Sequence, residues 1–106
     1  MSYRTNVYGE IKVRSEADAS VVADIIEQLD IFEEISLQGA SVEVIAYQIS
    51  YYPEDYIVMY EDIASYIVAG SLEFTGDDDT KWLHKYENGK WVEYDGELQW
   101  VNPHEI

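Results

Sequence analysis

The sequence predicts an α+β fold, an antiparallel sheet with two helices packed on one face. Three observations point to it. The chain opens with alternating residues, Val7, Ile11 and Val13 on one side and Glu10, Lys12 and Arg14 on the other. An apolar series at helical spacing follows at once: Ala17, Val21, Val22, Ile25, Ile26 and Leu29. The last third holds two turn signals, Asn88-Gly89 and Asp95-Gly96, between strand-like runs. With 106 residues and 47% apolar side chains, the chain can bury one core without disulfides, and residues 1–106 read as a single domain.

Residues 7–14 form a half-buried strand in which Gly9 takes an apolar position. Ser15 is a helix N-cap, and Glu16 and Asp18 suit the positive end of the helix that follows over 16–29. Its opposite face carries Glu16, Ser20, Asp24, Glu27 and Asp30. Glu33–Leu37 reads as a short strand, turning at Gly39-Ala40 into a longer one over 41–51 that is rich in Val, Ile and Tyr. Pro53 ends that strand. Met59, Tyr60, Ile63, Ala64 and Ile67 then favour a second helix running up to Gly70. Taken alone, Tyr56–Tyr60 fits a strand as well, because period does not settle a short apolar run. Ser71–Thr75 is the next strand, 76–79 a loop and Lys81–Glu87 a further strand. Asn88-Gly89 suits a type I′ turn, which needs positive φ at both positions. A similar turn at Asp95-Gly96 leads to a strand over Glu97–Val101 and a loose tail from Asn102. Two such turns place Tyr86, Trp91 and Trp100 in one row across three strands. The strand–helix–strand opening permits a ferredoxin-like start, with a β-meander added at the C-terminal end.

Twenty-two carboxylates against six Lys or Arg give a net charge of -16. Nothing here neutralises a row of phosphates, so no direct binding of nucleic acid is expected. The absence of cysteine removes disulfide and thiol chemistry and suits a reducing cytoplasm. The opening residues lack a signal-peptide apolar run, and no stretch nears the ~20 apolar residues of a membrane span. Anionic lipid would repel the chain. A cytoplasmic protein away from membranes is the expectation.

Chemistry is poorly supported. A calcium loop counted from Asp77 would need Gly at position six and Glu at twelve, where Trp82 and Asn88 stand. Twenty-two carboxylates produce acid–base pairs by chance. His84 and His104 share no metal-ligand spacing, and the hairpin register sets His84 opposite Glu93. No phosphate loop or nucleophile elbow occurs. Neither an enzyme nor a metal or cofactor site is expected.

The placement of charge is more informative. Between Arg14 and Lys81 lie 66 residues with no Lys or Arg and 16 carboxylates. Ordinary surfaces interleave the two signs, and unrelieved repulsion destabilises a compact state. Outward carboxylates on a helix stand about 5–6 Å apart, against about 3.4 Å between phosphates along one DNA strand. A helix face and acidic loops together approach that density. The candidate contacts are Glu16, Asp24, Glu27, Asp30, Glu33 and Glu34, then Glu54, Asp55, Glu61 and Asp62, then Asp77, Asp78 and Asp79. Tyr51 and Tyr52, beside Pro53, cannot both point inward, so one of them is an exposed aromatic anchor. Acid together with tyrosine is a surface suited to arginine.

In size, charge and lack of catalytic residues, the chain resembles the small acidic inhibitors made by phages and mobile elements. These include DNA mimics that block restriction enzymes, and anti-CRISPR proteins. The resemblance is one of whole-chain character and carries over no individual residue. It implies a stoichiometric inhibitor whose partner is a basic nuclease or nucleic-acid-binding effector. Two further readings stay open: an immunity protein that neutralises a basic toxin, and a domain made acidic for solubility with no inhibitor role.

Overall fold

The computed structural model describes the backbone of residues 4–96 and 100–105 and the side chains of residues 4–95. Its elements run β1 (Arg4–Val13), α1 (Glu16–Leu29), β2 (Glu34–Gln38), β3 (Ser41–Ser50), α2 (Pro53–Ile63), β4 (Ile67–Gly76), β5 (Lys81–Glu87), β6 (Lys90–Gly96) and β7 (Trp100–Glu105). The strands form one antiparallel sheet in the order β2-β3-β1-β4-β5-β6-β7. Both helices pack on the same face and touch each other.

Alternation in β1 buries Thr5, Val7, Gly9, Ile11 and Val13 under the helices. Gly9 is required by a close approach: a Cβ there would sit 2.7 Å from the Leu72 side chain and 2.9 Å from the Ser71 carbonyl oxygen. Ser15 caps α1 by accepting from the Asp18 N–H at 3.1 Å. The buried stripe is Ala19, Val22, Ala23 and Ile26, so the helix is rotated from the expected apolar face and leaves Ala17 and Val21 exposed. Short alanines at 19 and 23 let the helix lie close to the sheet, and Ile25 and Leu29 reach its flank.

Residues 56–60 are helical, with Pro53 in the first turn, where its missing N–H costs nothing. The helix stops at Ile63, however, and residues 67–70 already belong to β4. Pairing of Val13 with Ile67 and of Ile11 with Gly70 outweighs the local helical period. Gly70 is therefore a strand residue and not a helix stop. A Cβ there would stand 3.3 Å from Trp91 Cη2, so its bare surface seats the indole.

Asn88 and Gly89 adopt φ of 53° and 79° and set Tyr86 opposite Trp91, ring centroids 5.6 Å apart. The second turn does not fall at Asp95-Gly96. β6 stays on β5 to its end, with Trp82 opposite Asp95 and Lys81 opposite Gly96, and β7 then pairs Gly96 with Trp100. Trp91 is therefore not opposite Trp100, which the expected three-ring row requires. Asn102–Glu105 is strand, not loose tail, and Pro103 is tolerated because β7 is an edge. Residues 97–99, where the last strand was expected to begin, Ile106 and the Trp100 ring lie outside the described residues.

Candidate protein-docking surface

The two helices contain no Lys or Arg. Glu16, Asp24, Glu27 and Asp30 on or capping α1 are exposed, as are Glu54, Asp55, Glu61 and Asp62 on α2. Carboxylates near a helix N-terminus are favourable, which accounts for Glu16, Glu54 and Asp55. Glu27 and Asp30 at the end of α1, and Glu61 and Asp62 at the end of α2, face the negative end of the helix dipole. Each such placement costs about 0.3–1 kcal/mol relative to a basic residue. Stability alone would put Lys or Arg there.

The basic residues are elsewhere. Arg4, Lys12, Lys81, Lys85 and Lys90 all take register positions on the sheet face away from the helices. Glu10, Glu34, Glu43, Glu73 and Glu87 share that face, so it carries both signs. Arg14 lies in the β1–α1 connection, where it pairs with Asp18 at 3.7 Å and donates to the Ser65 carbonyl. The two helices thus carry only negative charge, with Arg14 at their edge, and the opposite face is mixed.

The sequence-predicted contacts divide accordingly. The α1 and α2 carboxylates come together on one layer. Glu34 does not join them: it pairs with Ile45 at an outward position on the far face. Glu33 lies at the sheet margin, where its carboxylate accepts from the Tyr47 N–H at 3.3 Å. The loop Asp77–Asp79 is brought to the start of α2. Asp77 and Arg4 exchange hydrogen bonds at 3.0 and 3.2 Å, and Asp78 accepts from the Thr80 N–H at 3.1 Å. Of the two tyrosines beside Pro53, Tyr52 is the exposed one at 55%, while Tyr51 packs against Tyr56, Phe74 and Trp82.

Between the start of α2, the acidic loop and the β5–β6 hairpin lies a cleft of about 570 Å³. Tyr51, Pro53 and Trp82 contribute apolar wall, and Asp78, Asp79, Glu93 and Asp95 contribute carboxylates. Trp82 stacks on Phe74 with centroids 5.2 Å apart and planes 3° from parallel. Burial raises the Tyr51 hydroxyl above its ordinary range, and a hydrogen bond with Trp82 partly offsets this. Behind the wall runs a chain of polar contacts. Tyr60 Oη and His84 Nδ1 share a hydrogen bond of 2.6 Å, and His84 Nε2–H donates to the Glu93 carboxylate at 2.8 Å. His84, 3% exposed, therefore serves as a buried support for Glu93, meeting the expected cross-strand partner.

Sequence reasoning missed Trp82, Glu93 and Asp95 at this cleft, and Ile57 and Val58, which stand exposed between the two acid pairs of α2. The Asn88-Gly89 register already sets Trp82 opposite Asp95, so that signal was present. The exposure of Ile57 and Val58 depends on how α2 is rotated, which local sequence does not specify. Among the described residues no helix is long and apolar enough to cross a membrane. No protein-family model, curated protein or solved structure matches this chain.

Proposed function

We propose that this is a non-enzymatic acidic inhibitor, of the anti-restriction or anti-CRISPR type made by phages. It occupies the nucleic-acid site of a basic nuclease or effector by presenting carboxylates in place of phosphates. One observation carries the reading: the two helices carry exposed carboxylates and no Lys or Arg, even at helix C-termini where that costs stability, while five of the six bases take register positions on the opposite face of the sheet. Acidity selected for solubility alone has no reason to be one-sided or to oppose helix dipoles. Exposed Tyr52, Ile57 and Val58 interleave the charge and suit a protein partner. The cytoplasm, where such effectors meet nucleic acid, is the compartment this reading assigns.

The same reading extends to the fold. The order β1-α1-β2-β3-α2-β4 with strand neighbours β2-β3-β1-β4 supports a ferredoxin-like start. Placement of β5, β6 and β7 each beside its predecessor supports a C-terminal meander.

The test is competition. A partner captured on the immobilised protein should lose its bound duplex as inhibitor is added, reaching full displacement at one inhibitor per site. The protein alone should retain neither duplex nor single strand in a gel shift at low salt. A captured partner that holds inhibitor and duplex together contradicts mimicry and favours neutralisation of a basic toxin.

A further inference from the structure

We infer that β2 is a self-association edge, on which a second copy of this chain adds its own β2 in antiparallel register about Ser36. This is independent of the inhibitor reading.

The two edges of the sheet are built differently. β7 carries Pro103, and its ladder with β6 shifts register between Glu93 and Asp95. Proline and irregular pairing keep an edge from taking another strand. β2, at the other end of the strand order, has neither. Its five residues hold no Pro, Lys or Arg, and its ladder with β3 runs without a shift. All but Ile35 are exposed, Leu37 at 51%. Just before β2, the margin of β3 is closed by Glu33. Its N–H donates to the Ile45 carbonyl at 2.9 Å, and its carboxylate accepts from the Tyr47 N–H at 3.3 Å. What stays open is β2 itself, whose outward N–H and C=O groups meet no strand among the described residues.

The run Glu34-Ile-Ser-Leu-Gln38 complements its own reverse. An antiparallel pair centred on Ser36 sets Ile35 of each copy opposite Leu37 of the other, and Glu34 opposite Gln38. Ile35 and Leu37 lie on the helix side, paired with the buried Val44 and Val42. The two apolar pairs therefore continue the core layer across the axis and cover Leu37. On the far face each Glu34 carboxylate meets a Gln38 amide, an acceptor against a donor. Only the small, neutral Ser36 meets itself. A slip of one residue would set helix-side against far-side positions.

A five-residue edge falls short of the ~1,200–2,000 Å² buried in a stable complex, and each copy carries a charge of -16. The dimer is consequently weak. Salt screens the repulsion, so self-association strengthens as salt rises, the reverse of binding to a basic partner.

The experiment is sedimentation equilibrium of the full chain over a range of concentration and salt. Average mass should rise toward that of a dimer with concentration, and further at high salt. Ser36→Lys and Gln38→Lys change charge equally, on one face of one strand. Ser36→Lys sets two ammonium groups opposite each other and should abolish the rise. Gln38→Lys creates two Glu34–Lys pairs and should tighten the dimer about five-fold. Ser36→Cys adds one thiol to a chain that has none, and a short bismaleimide should join two copies through it. Gln38→Cys places the two thiols four residues apart, about 13 Å, beyond that reagent, and should stay uncrosslinked. Circular dichroism checks that each variant is folded. A monomer mass at every concentration and salt would overturn the inference. So would equal effects of the two lysine variants, or equal cross-linking of the two cysteine variants.

Discussion

Tyr56 and Tyr60 lie one helical turn apart on α2, and their hydroxyls are treated differently. Tyr60 O–H is satisfied by His84, whereas the buried Tyr56 hydroxyl has no hydrogen-bond partner among the described residues. Tyr60→Phe removes the hydroxyl that meets the buried His84 Nδ1 and should destabilise by about 1–3 kcal/mol in urea titrations. Tyr56→Phe removes an unsatisfied group and should be neutral or stabilising. A large loss from Tyr56→Phe would mean that its hydroxyl has a partner. Burial raises both hydroxyls above the ordinary value of 10.0, with smaller contributions from neighbouring tyrosines and acids. The folded state therefore holds these protons more tightly than the unfolded chain. The stability so linked is complete below about pH 10 and is lost as pH climbs beyond it. Melting temperature should fall steeply above that point, and less steeply in Tyr56→Phe. Trp91 is 7% exposed and stacks on Tyr60 with centroids 4.0 Å apart. Trp91→Ala should lose about 3–5 kcal/mol, and a loss below about 1 kcal/mol would contradict its burial.

At the scale of elements, the helix ends set stability against the proposed binding. Glu27→Lys and Asp62→Lys place cations at C-terminal turns and relieve repulsion. Each should raise stability by about 0.3–1 kcal/mol by thermal melting, and both should weaken partner binding. Unchanged stability would remove the argument that these carboxylates are kept at a cost. Both helices, the Gly39-Ala40 and Asn88-Gly89 turns and the His84–Glu93 pair were legible because each depends on neighbours in sequence or on one tight turn. The end of α2 was not, since the β1–β4 ladder decides it from more than fifty residues away. The Asp95-Gly96 turn misled because β6 extends along the whole of β5, and nothing local reports that length. The acidic layer was half legible. The stretch without bases was plain, but separating Glu34 from Asp24 and Glu27 required the register of β2 on β3.

Across the whole molecule, the helices carry only acidic charge while the far face of the sheet is balanced, so the direction of the field matters as much as its size. Such a field speeds encounter with a basic partner and loses force as salt rises. The central claim is that the helix layer, and not net charge, makes the contact. It is tested most directly by measuring association with the captured partner, at several salt concentrations, for two triple variants of identical charge change. Asp24→Lys, Glu27→Lys and Asp62→Lys alter the helix layer, while Glu34→Lys, Glu43→Lys and Glu73→Lys alter the opposite face. Circular dichroism confirms folding in each. The helix-layer set should slow association, flatten its salt dependence and abolish duplex displacement, and the sheet-face set should leave most of all three in place. Equal losses from both sets, or a greater loss from the sheet face, would contradict a defined mimic surface on the helices.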